Sequence, residues 1–176
     1  VEALAAAQRH LGHEVKLAVQ KIQGSEEHVW ECPLPAQAWE KKLIKRQEQQ
    51  GFYDLYPPQL LPLLTRPEFL EADLVHLHDL QGGYFSHLLL PFLAAKPLVW
   101  TLYDERAFVE APPVEGGRTA SFRQVVRDLQ SISEYTVAAT QPWLKERVRR
   151  SPLGQHPLFE IPLGIDSEFW SPGDKK

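Results

Sequence analysis

Apolar residues along the chain fall into short runs that alternate with stretches of helical spacing. Each of the strongest apolar runs has the length of one strand, and these runs are Leu74–His78, Leu98–Tyr103, Tyr135–Ala139 and Leu158–Ile161. Helical patterns lie between them, at Tyr84–Ala95, Arg118–Ser133 and Gln141–Arg150. Nearly all-apolar strands that alternate with helices are typical of a parallel sheet covered on both faces. The sequence therefore predicts an α/β fold.

The first third of the chain has weaker patterns. Alanine and leucine over Val1–Leu11 favour a helix, and Gly12 follows at a position typical of a C-cap. A strand is expected within Glu14–Val19 and a charged helix over Gln37–Gln49. Two short elements are also expected, a strand over His28–Trp30 and a helix over Leu60–Leu64. Because doubly wound folds usually open on a central strand, we expect a further strand and a glycine turn directly before Val1.

Composition narrows the function classes. The chain has 176 residues, and 43% of them are hydrophobic, which is enough for a packed core. Its net charge of −4 gives no general attraction to nucleic acid. Cys32 is the single cysteine, so no internal disulfide can form and a reducing, cytoplasmic setting is expected. No apolar run approaches the ~20 residues that span a bilayer, and Val1 onward lacks the pattern of a signal peptide.

Two basic runs occur at helical spacing among apolar residues. They consist of Lys41, Lys42, Lys45 and Arg46, and of Lys145, Arg147, Arg149 and Arg150. Such runs are most often solvated helix faces. They also suit anionic lipid headgroups, so the alternative is peripheral contact with the inner face of the membrane.

Polar residues follow the first two buried strands where each strand ends. After the first strand come His78, Asp79, Gly82, Gly83 and Tyr84, and after the second come Tyr103, Asp104 and Arg106. The carboxyl ends of adjacent parallel strands meet at one edge of a sheet, where ligands of open α/β folds bind. A glycine pair before a helix lets backbone amides approach an anion, although a plain tight turn needs the same glycines. The sequence therefore predicts a shared ligand pocket that begins at His78.

His76 and His78 lie two apart on a strand, so their side chains share one face. Histidine pairs on a strand bind metal in some hydrolases, which makes a metal-dependent hydrolase one alternative. The remaining histidines form no second cluster along the sequence. We expect no metal, with His76 hydrogen-bonded in the core and His78 at the mouth of the pocket.

Thr140 and Gly164, later in the chain, each have a local structural explanation. Thr140 precedes the helix at Gln141–Arg150 and is a good N-cap for it. Gly164 follows the last strand, where the absence of a side chain permits close backbone packing.

Four segments resemble, in the same order, motifs of the N-terminal domain of GT-B glycosyltransferases. They are Asp73–Tyr84, Pro97–Phe108, Thr140–Leu144 and Ile161–Pro172. The resemblance is to the large retaining family that includes bacterial polysaccharide and mannosyl transferases. Ala3–Val15 is also similar to the first helix of that family. The match covers nearly the whole chain, and its last motif is the most specific.

The resemblance implies one half of a GT-B fold. Residues 1–165 would form a Rossmann-like N-terminal domain, a parallel sheet with helices on both faces, and 166–176 would begin an interdomain linker. Such a domain mainly holds the acceptor, which is a glycan or a lipid-linked molecule. A C-terminal domain holds most of the nucleotide-sugar donor. The implied activity is retaining hexosyl transfer without a cofactor, and the N-terminal domain alone would be inactive.

The resemblance also assigns roles to the pocket residues. It implies that Tyr103 and Asp104 are catalytic. The implied substrate-binding residues are His78, Asp79, Gly82, Gly83, Tyr84, Arg106, Thr140 and Gly164. Tyr103 stands where the family has a histidine, and tyrosine is a poor base near neutral pH, so Asp104 is expected to share the role. A non-catalytic Rossmann-type binding module is the remaining alternative.

Overall fold

The computed structural model describes residues 1–19, 21, 28–32, 37–52, 61–78, 80, 85–108 and 118–164. Its helices are α1 (Glu2–His10), α2 (Ala38–Glu48), α3 (Pro67–Leu70), α4 (Leu90–Leu93), α5 (Thr119–Ile132) and α6 (Pro142–Arg149). Its strands are β1 (Leu17–Val19), β2 (Val29–Glu31), β3 (Val75–His78), β4 (Leu98–Leu102), β5 (Thr136–Ala139) and β6 (Leu158–Glu160). The expected interdomain linker at 166–176 lies outside the described residues.

The main sheet has four strands in the order β3-β4-β5-β6, and every pair is parallel. Parallel neighbours need crossover connections, and helices α4, α5 and α6 lie in these connections. The expected α/β fold with a parallel, Rossmann-like sheet is therefore confirmed. Strands β1 and β2 form a separate two-stranded parallel sheet.

One face of the main sheet forms the core. Leu77, Trp100 and Val137 are register partners across β3, β4 and β5, and all three are buried. Alternate strand residues share a face, so these side chains point together toward the helices. The helices contribute buried residues to the same cluster, including Leu90, Leu93, Leu144 and Val148. Burial of these apolar groups holds the strand ends in fixed relative positions.

Helix α1 and the turn that follows it match the sequence pattern closely. The helix ends at His10 with Leu11 as its C-cap, and Gly12 has a φ of +91°. This left-handed conformation is strained for a residue with a Cβ, which explains the glycine. The chain then enters β1.

The segment from residue 85 to 95 differs from the single helix that the apolar pattern of Tyr84–Ala95 predicts. A short 3₁₀ turn at His87–Leu89 is followed by α4, and Pro91 lies in the first turn of α4. Proline has no N–H to donate, and the first turn of a helix does not require one. Pro91 therefore marks a helix start. The Ser86 hydroxyl accepts a hydrogen bond of 3.3 Å from the Leu88 N–H and caps the 3₁₀ turn.

The other elements agree with the sequence pattern to within a few residues at their ends. The short helix expected at Leu60–Leu64 is a 3₁₀ turn at Leu61–Thr65, and α3 follows it without a prior sequence signal. None of the helices in the described ranges is long and apolar enough to cross a lipid bilayer.

Candidate functional site

The carboxyl ends of β3 and β4 bring His78 and Tyr103 together. His78 is the last residue of β3 and is the register partner of Thr101 in β4. Tyr103 lies two residues beyond Thr101, so the alternation of the strand returns it to the same face. His78 Nδ1 and Tyr103 Oη lie 2.8 Å apart and are hydrogen-bonded. The two residues that the sequence placed at adjacent strand ends are therefore in direct contact.

A second pair lies one step earlier on the same strands. His76 Nε2 and Thr101 Oγ1 are 2.7 Å apart and hydrogen-bonded. The rings of His76 and His78 are 3.9 Å apart between centroids and are tilted by 40°. We call the four residues His76, His78, Thr101 and Tyr103 the strand-end cluster. His76 is hydrogen-bonded as expected, although it is half-buried rather than fully enclosed.

Burial keeps the imidazoles of the cluster neutral. Burial, and then the adjacent His76, lower the pKa of His78 to about 4. Burial also lowers the pKa of His76. At neutral pH each neutral ring has one donor and one acceptor nitrogen. The cluster can therefore orient a hydroxyl group or a phosphate oxygen by hydrogen bonds rather than by a full positive charge.

Two cavities meet at the strand-end cluster. A cavity of about 410 Å³ is lined by His76 and His78, and a smaller one of about 60 Å³ is lined by Thr101 and Tyr103. The hydrogen bond between His78 and Tyr103 thus lies between the two spaces. A ligand in either cavity can reach one of its two partners.

Asp104 and Arg106 form a tight local unit on the wall of the smaller cavity. The Asp104 carboxylate accepts a hydrogen bond of 2.9 Å from the Arg106 backbone N–H. Its other oxygen accepts one of 2.5 Å from Arg106 Nε. Both oxygens are therefore engaged within the turn. Asp104 is placed to hold the Arg106 guanidinium in position, and that guanidinium is largely exposed.

Glu105 joins this corner of the sheet to α6. Its carboxylate accepts hydrogen bonds from Nε and Nη2 of Arg147, the first of them at 2.8 Å. The two residues are 42 positions apart, so no local sequence pattern indicates the pair. Exposed ion pairs stabilise a fold by only about 0–1 kcal/mol. The pair fixes the orientation of the turn more than it stabilises the domain.

His87 also lines the smaller cavity, although nothing in the sequence singles it out. Its ring packs edge-on against Phe85 at 5.6 Å between centroids. Burial lowers its pKa to about 4. Nδ1 is buried and has no hydrogen-bond partner among the described residues. The sequence did not indicate His87 as a site residue, because a single histidine beside an apolar run is normally part of the core.

Two sequence-based explanations are wrong. Thr140 does not cap α6, because Gln141 is the N-cap residue. Instead the buried Thr140 hydroxyl donates to the Leu102 carbonyl at 3.0 Å, which ties β5 to β4. Close packing does not explain Gly164 either, since an added Cβ there would meet open space. No described contact links Gly164 to the strand-end cluster.

The remaining predicted pocket residues lie in a part of the chain that the structure does not describe. Asp79, Gly82, Gly83 and Tyr84 lie outside the described residues. Within the described ranges, no group of three or more His, Cys, Asp and Glu residues is arranged to hold a metal ion. One nitrogen of His76 and one of His78 already take part in the hydrogen bonds of the cluster.

The two basic runs differ in their surroundings. The run on α2 is exposed, and it consists of Lys41, Lys42, Lys45 and Arg46. The run on α6 is ion-paired with neighbouring carboxylates, which belong to Glu105, Glu146 and Glu160. Among the described residues, more of the charge of the α6 run is therefore paired with carboxylates than that of the α2 run.

Comparison with known proteins assigns neither a family nor a function to this chain. No protein-family model, no curated protein and no solved structure matches this chain. Functional conclusions therefore depend on the geometry of the site and on the motif resemblance.

Proposed function

We propose that this chain is the acceptor-side half of a retaining GT-B glycosyltransferase, which moves a hexose from a nucleotide-sugar donor to a glycan or a lipid-linked acceptor. The observation that carries the proposal is the hydrogen bond between His78 and Tyr103, at the carboxyl ends of neighbouring parallel strands. Ligands of open α/β sheets bind at such ends. The order of the four resembling motifs is a second, independent support.

The chemistry of sugar transfer suits the groups that line this edge. In retaining transfer, positive charge develops at the sugar carbon and negative charge develops on the departing diphosphate. Neutral hydrogen-bonding groups such as His78 and Tyr103 position an acceptor or donor hydroxyl without repelling the positive sugar carbon. The Arg106 guanidinium has the geometry that binds phosphate oxygens. Asp104 keeps this guanidinium in place.

The decisive experiment measures sugar transfer by the full-length protein, with Tyr103→Phe and His78→Leu as test variants. Release of UDP and GDP from a panel of nucleotide-sugars is followed in the presence of glycan or lipid-linked acceptors. We expect each variant to lower kcat/KM about tenfold to a hundredfold, because each one breaks the hydrogen bond at the reacting centre. Tyr135→Phe is the matched control, since the buried Tyr135 hydroxyl has no described partner and lies in the core.

One result would overturn the proposal. If the wild-type protein binds a nucleotide-sugar or a glycan but transfers no sugar, the domain is a non-catalytic binding module. The ion pair between Asp104 and Arg106 favours this second candidate, because a carboxylate that is paired with a guanidinium is a weaker proton acceptor. Isothermal titration with the same ligands separates the two outcomes.

The exposed basic face of α2 supports a cytoplasmic site of action next to anionic lipid. Lysine and arginine side chains near a membrane surface contribute about 1 kcal/mol each to binding of anionic lipid. Neutralising Lys41, Lys42, Lys45 and Arg46 should weaken binding to phosphatidylglycerol vesicles at least tenfold. The double variant Arg149→Gln with Arg150→Gln is the control, since both residues already pair with Glu146. Equal binding by wild type and the α2 variant would exclude lipid contact through α2.

A further inference from the structure

The smaller cavity, at the carboxyl end of β4, is too small for a whole sugar. Its volume is about 60 Å³, whereas a ligand pocket usually has about 300–1,000 Å³. A closed apolar cavity of ~150 Å³ holds one benzene molecule. The space therefore fits a single substituent of a few non-hydrogen atoms. Because the Arg106 guanidinium on its wall is largely exposed, a larger molecule outside can insert such a substituent.

Apolar side chains line much of this cavity. Phe85, Trp100 and Leu102 belong to its wall, and each of them is at most 3% exposed. Leu80 and Ala107 extend the same lining. A polar group against these side chains would lose its hydrogen bonds to water without replacement, whereas burial of an apolar group is favourable. A methyl group is therefore the kind of occupant that this lining favours.

His87 is the polar residue of the wall that has an unmet hydrogen bond. Among the described residues, no group donates to or accepts from its buried Nδ1. The other polar side chains on the wall already take part in the hydrogen bonds described above, and they are Thr101, Tyr103, Asp104 and Arg106. His87 is therefore the group on this wall that gains most from a hydrogen bond to an occupant.

The His87 ring offers a donor without a charge. Burial lowers its pKa to about 4, so the ring is neutral near pH 7 and carries one proton. A proton on the buried Nδ1 would lack an acceptor in the described part of the chain, so the proton belongs on Nε2. Asp104 and Arg106, the charged residues of the wall, are paired with each other. The cavity therefore favours an uncharged group with an acceptor oxygen.

We propose that the smaller cavity binds the acetamido group of an N-acetylated hexosamine, whose carbonyl oxygen accepts a hydrogen bond from His87 Nε2 and whose methyl group packs against Phe85 and Trp100. That a sugar carries this group rests on the proposed function. A hydroxymethyl group would bond to His87 but has no methyl for the apolar lining. A carboxylate would place a second negative charge beside Asp104. His87 is then the residue that selects N-acetylated sugars.

Binding of simple sugars to the full-length protein tests the inference without any transfer reaction. The methyl glycosides of N-acetylglucosamine and N-acetylgalactosamine are each compared with the parent glycoside that has a hydroxyl in place of the acetamido group. UDP-N-acetylglucosamine against UDP-glucose tests whether the donor carries the group instead. We expect the acetylated member of at least one pair to bind about tenfold more tightly, because it fills the cavity and meets the free donor. Isothermal titration calorimetry measures the dissociation constants.

Two substitutions of His87 identify the group that is responsible. His87→Leu removes the donor and should abolish the preference, whereas His87→Gln keeps an N–H near the position of Nε2 and should retain most of it. Equal binding within every pair by the wild-type protein would overturn the inference. A preference that His87→Leu leaves unchanged, or no binding of any acetylated probe, would overturn it as well. Melting temperatures establish that each variant is folded.

Filling the cavity tests the same inference without changing His87. Ala107→Leu adds bulk to the wall and should also remove the preference. Ala95→Leu is the matched control, because Ala95 is exposed and does not line the cavity. An undiminished preference in Ala107→Leu would show that the acetamido group binds elsewhere.

The inference and the proposed function can fail separately. A preference for acetylated sugars without any sugar transfer would contradict the proposed function and support the acetamido site. Transfer of sugar without such a preference would support the proposed function and overturn the acetamido site.

Discussion

The hydroxyl of Thr140 donates a hydrogen bond of 3.0 Å to the carbonyl oxygen of Leu102. The Thr140 backbone N–H donates to the same oxygen at 3.3 Å. One residue thus ties the end of β5 to the end of β4. Tyr103 and Asp104 follow Leu102 directly, so this link sets the direction in which both leave the sheet. Thr140 therefore affects the site indirectly, by fixing the end of β4 from which Tyr103 and Asp104 extend.

Replacing Thr140 with valine should destabilise the protein by about 1 kcal/mol, because the buried hydrogen bond is lost while the shape is kept. Thr140→Ser should recover most of this loss. Urea unfolding monitored by circular dichroism measures both effects. Thr136→Val, at a half-buried position of the same strand, is the matched control. A loss for Thr140→Val no larger than that for the control would exclude a structural role for the hydroxyl.

Local pattern predicted the fold and the central contact of the site well. Parallel strands that are neighbours must bring their carboxyl ends to one edge, so the proximity of His78 and Tyr103 follows from where each strand ends. The left-handed turn at Gly12 is likewise local, because the helix end and the glycine are adjacent. Such features can be predicted from sequence because each depends on only a few neighbouring residues and one geometric rule.

Contacts between distant segments could not be predicted in this way. The Thr140 hydroxyl meets a carbonyl that lies 38 positions earlier, so its helix-capping potential gave the wrong role. The smaller cavity next to His87 depends on three segments and has no signature in any of them.

The buried His87 predicts a loss of stability in acid. Its pKa is about 4 in the fold, compared with 6.5 for an unperturbed histidine. The unfolded chain therefore binds more protons between pH 6.5 and 4, and this group's contribution to stability falls as the pH is lowered through that window. His87→Leu removes this contribution and an unpartnered buried nitrogen. We expect the variant to have at least the wild-type free energy of unfolding at pH 7. At pH 4.5 its free energy of unfolding should exceed that of wild type by about 2 kcal/mol.

Urea denaturation of wild type and His87→Leu between pH 4.5 and 7.5 measures this difference. His13→Leu is the control, because it removes a histidine from an exposed position by the same substitution. Parallel stability curves for wild type and His87→Leu across the whole range would show that His87 has a partner or is accessible to water.

Under the proposed function, the contact between Asp104 and Arg106 predicts that the two residues act as one unit on the nucleotide-sugar donor. If Asp104 only positions the guanidinium, then Asp104→Asn, Arg106→Ala and the double variant should raise KM for the nucleotide-sugar by a similar factor, about tenfold. The kcat values should stay close to wild type. A fall in kcat for Asp104→Asn that Arg106→Ala does not share would instead identify Asp104 as a catalytic residue. Steady-state kinetics of the full-length protein distinguish these cases.

Two glycines near the C-terminal end of the described chain give a matched test of local packing. A Cβ at Gly154 would overlap the carbonyl group of Arg149 and lie 3.0 Å from its Cα, whereas a Cβ at Gly164 would meet open space. The atoms that oppose Gly154 belong to backbone at the end of α6, so they cannot move aside as a flexible side chain would. Gly154→Ala should therefore cost about 1–3 kcal/mol, while Gly164→Ala should change stability by less than about 0.5 kcal/mol. Thermal unfolding of the two variants under identical conditions compares them directly, and equal melting temperatures would contradict the packing around Gly154.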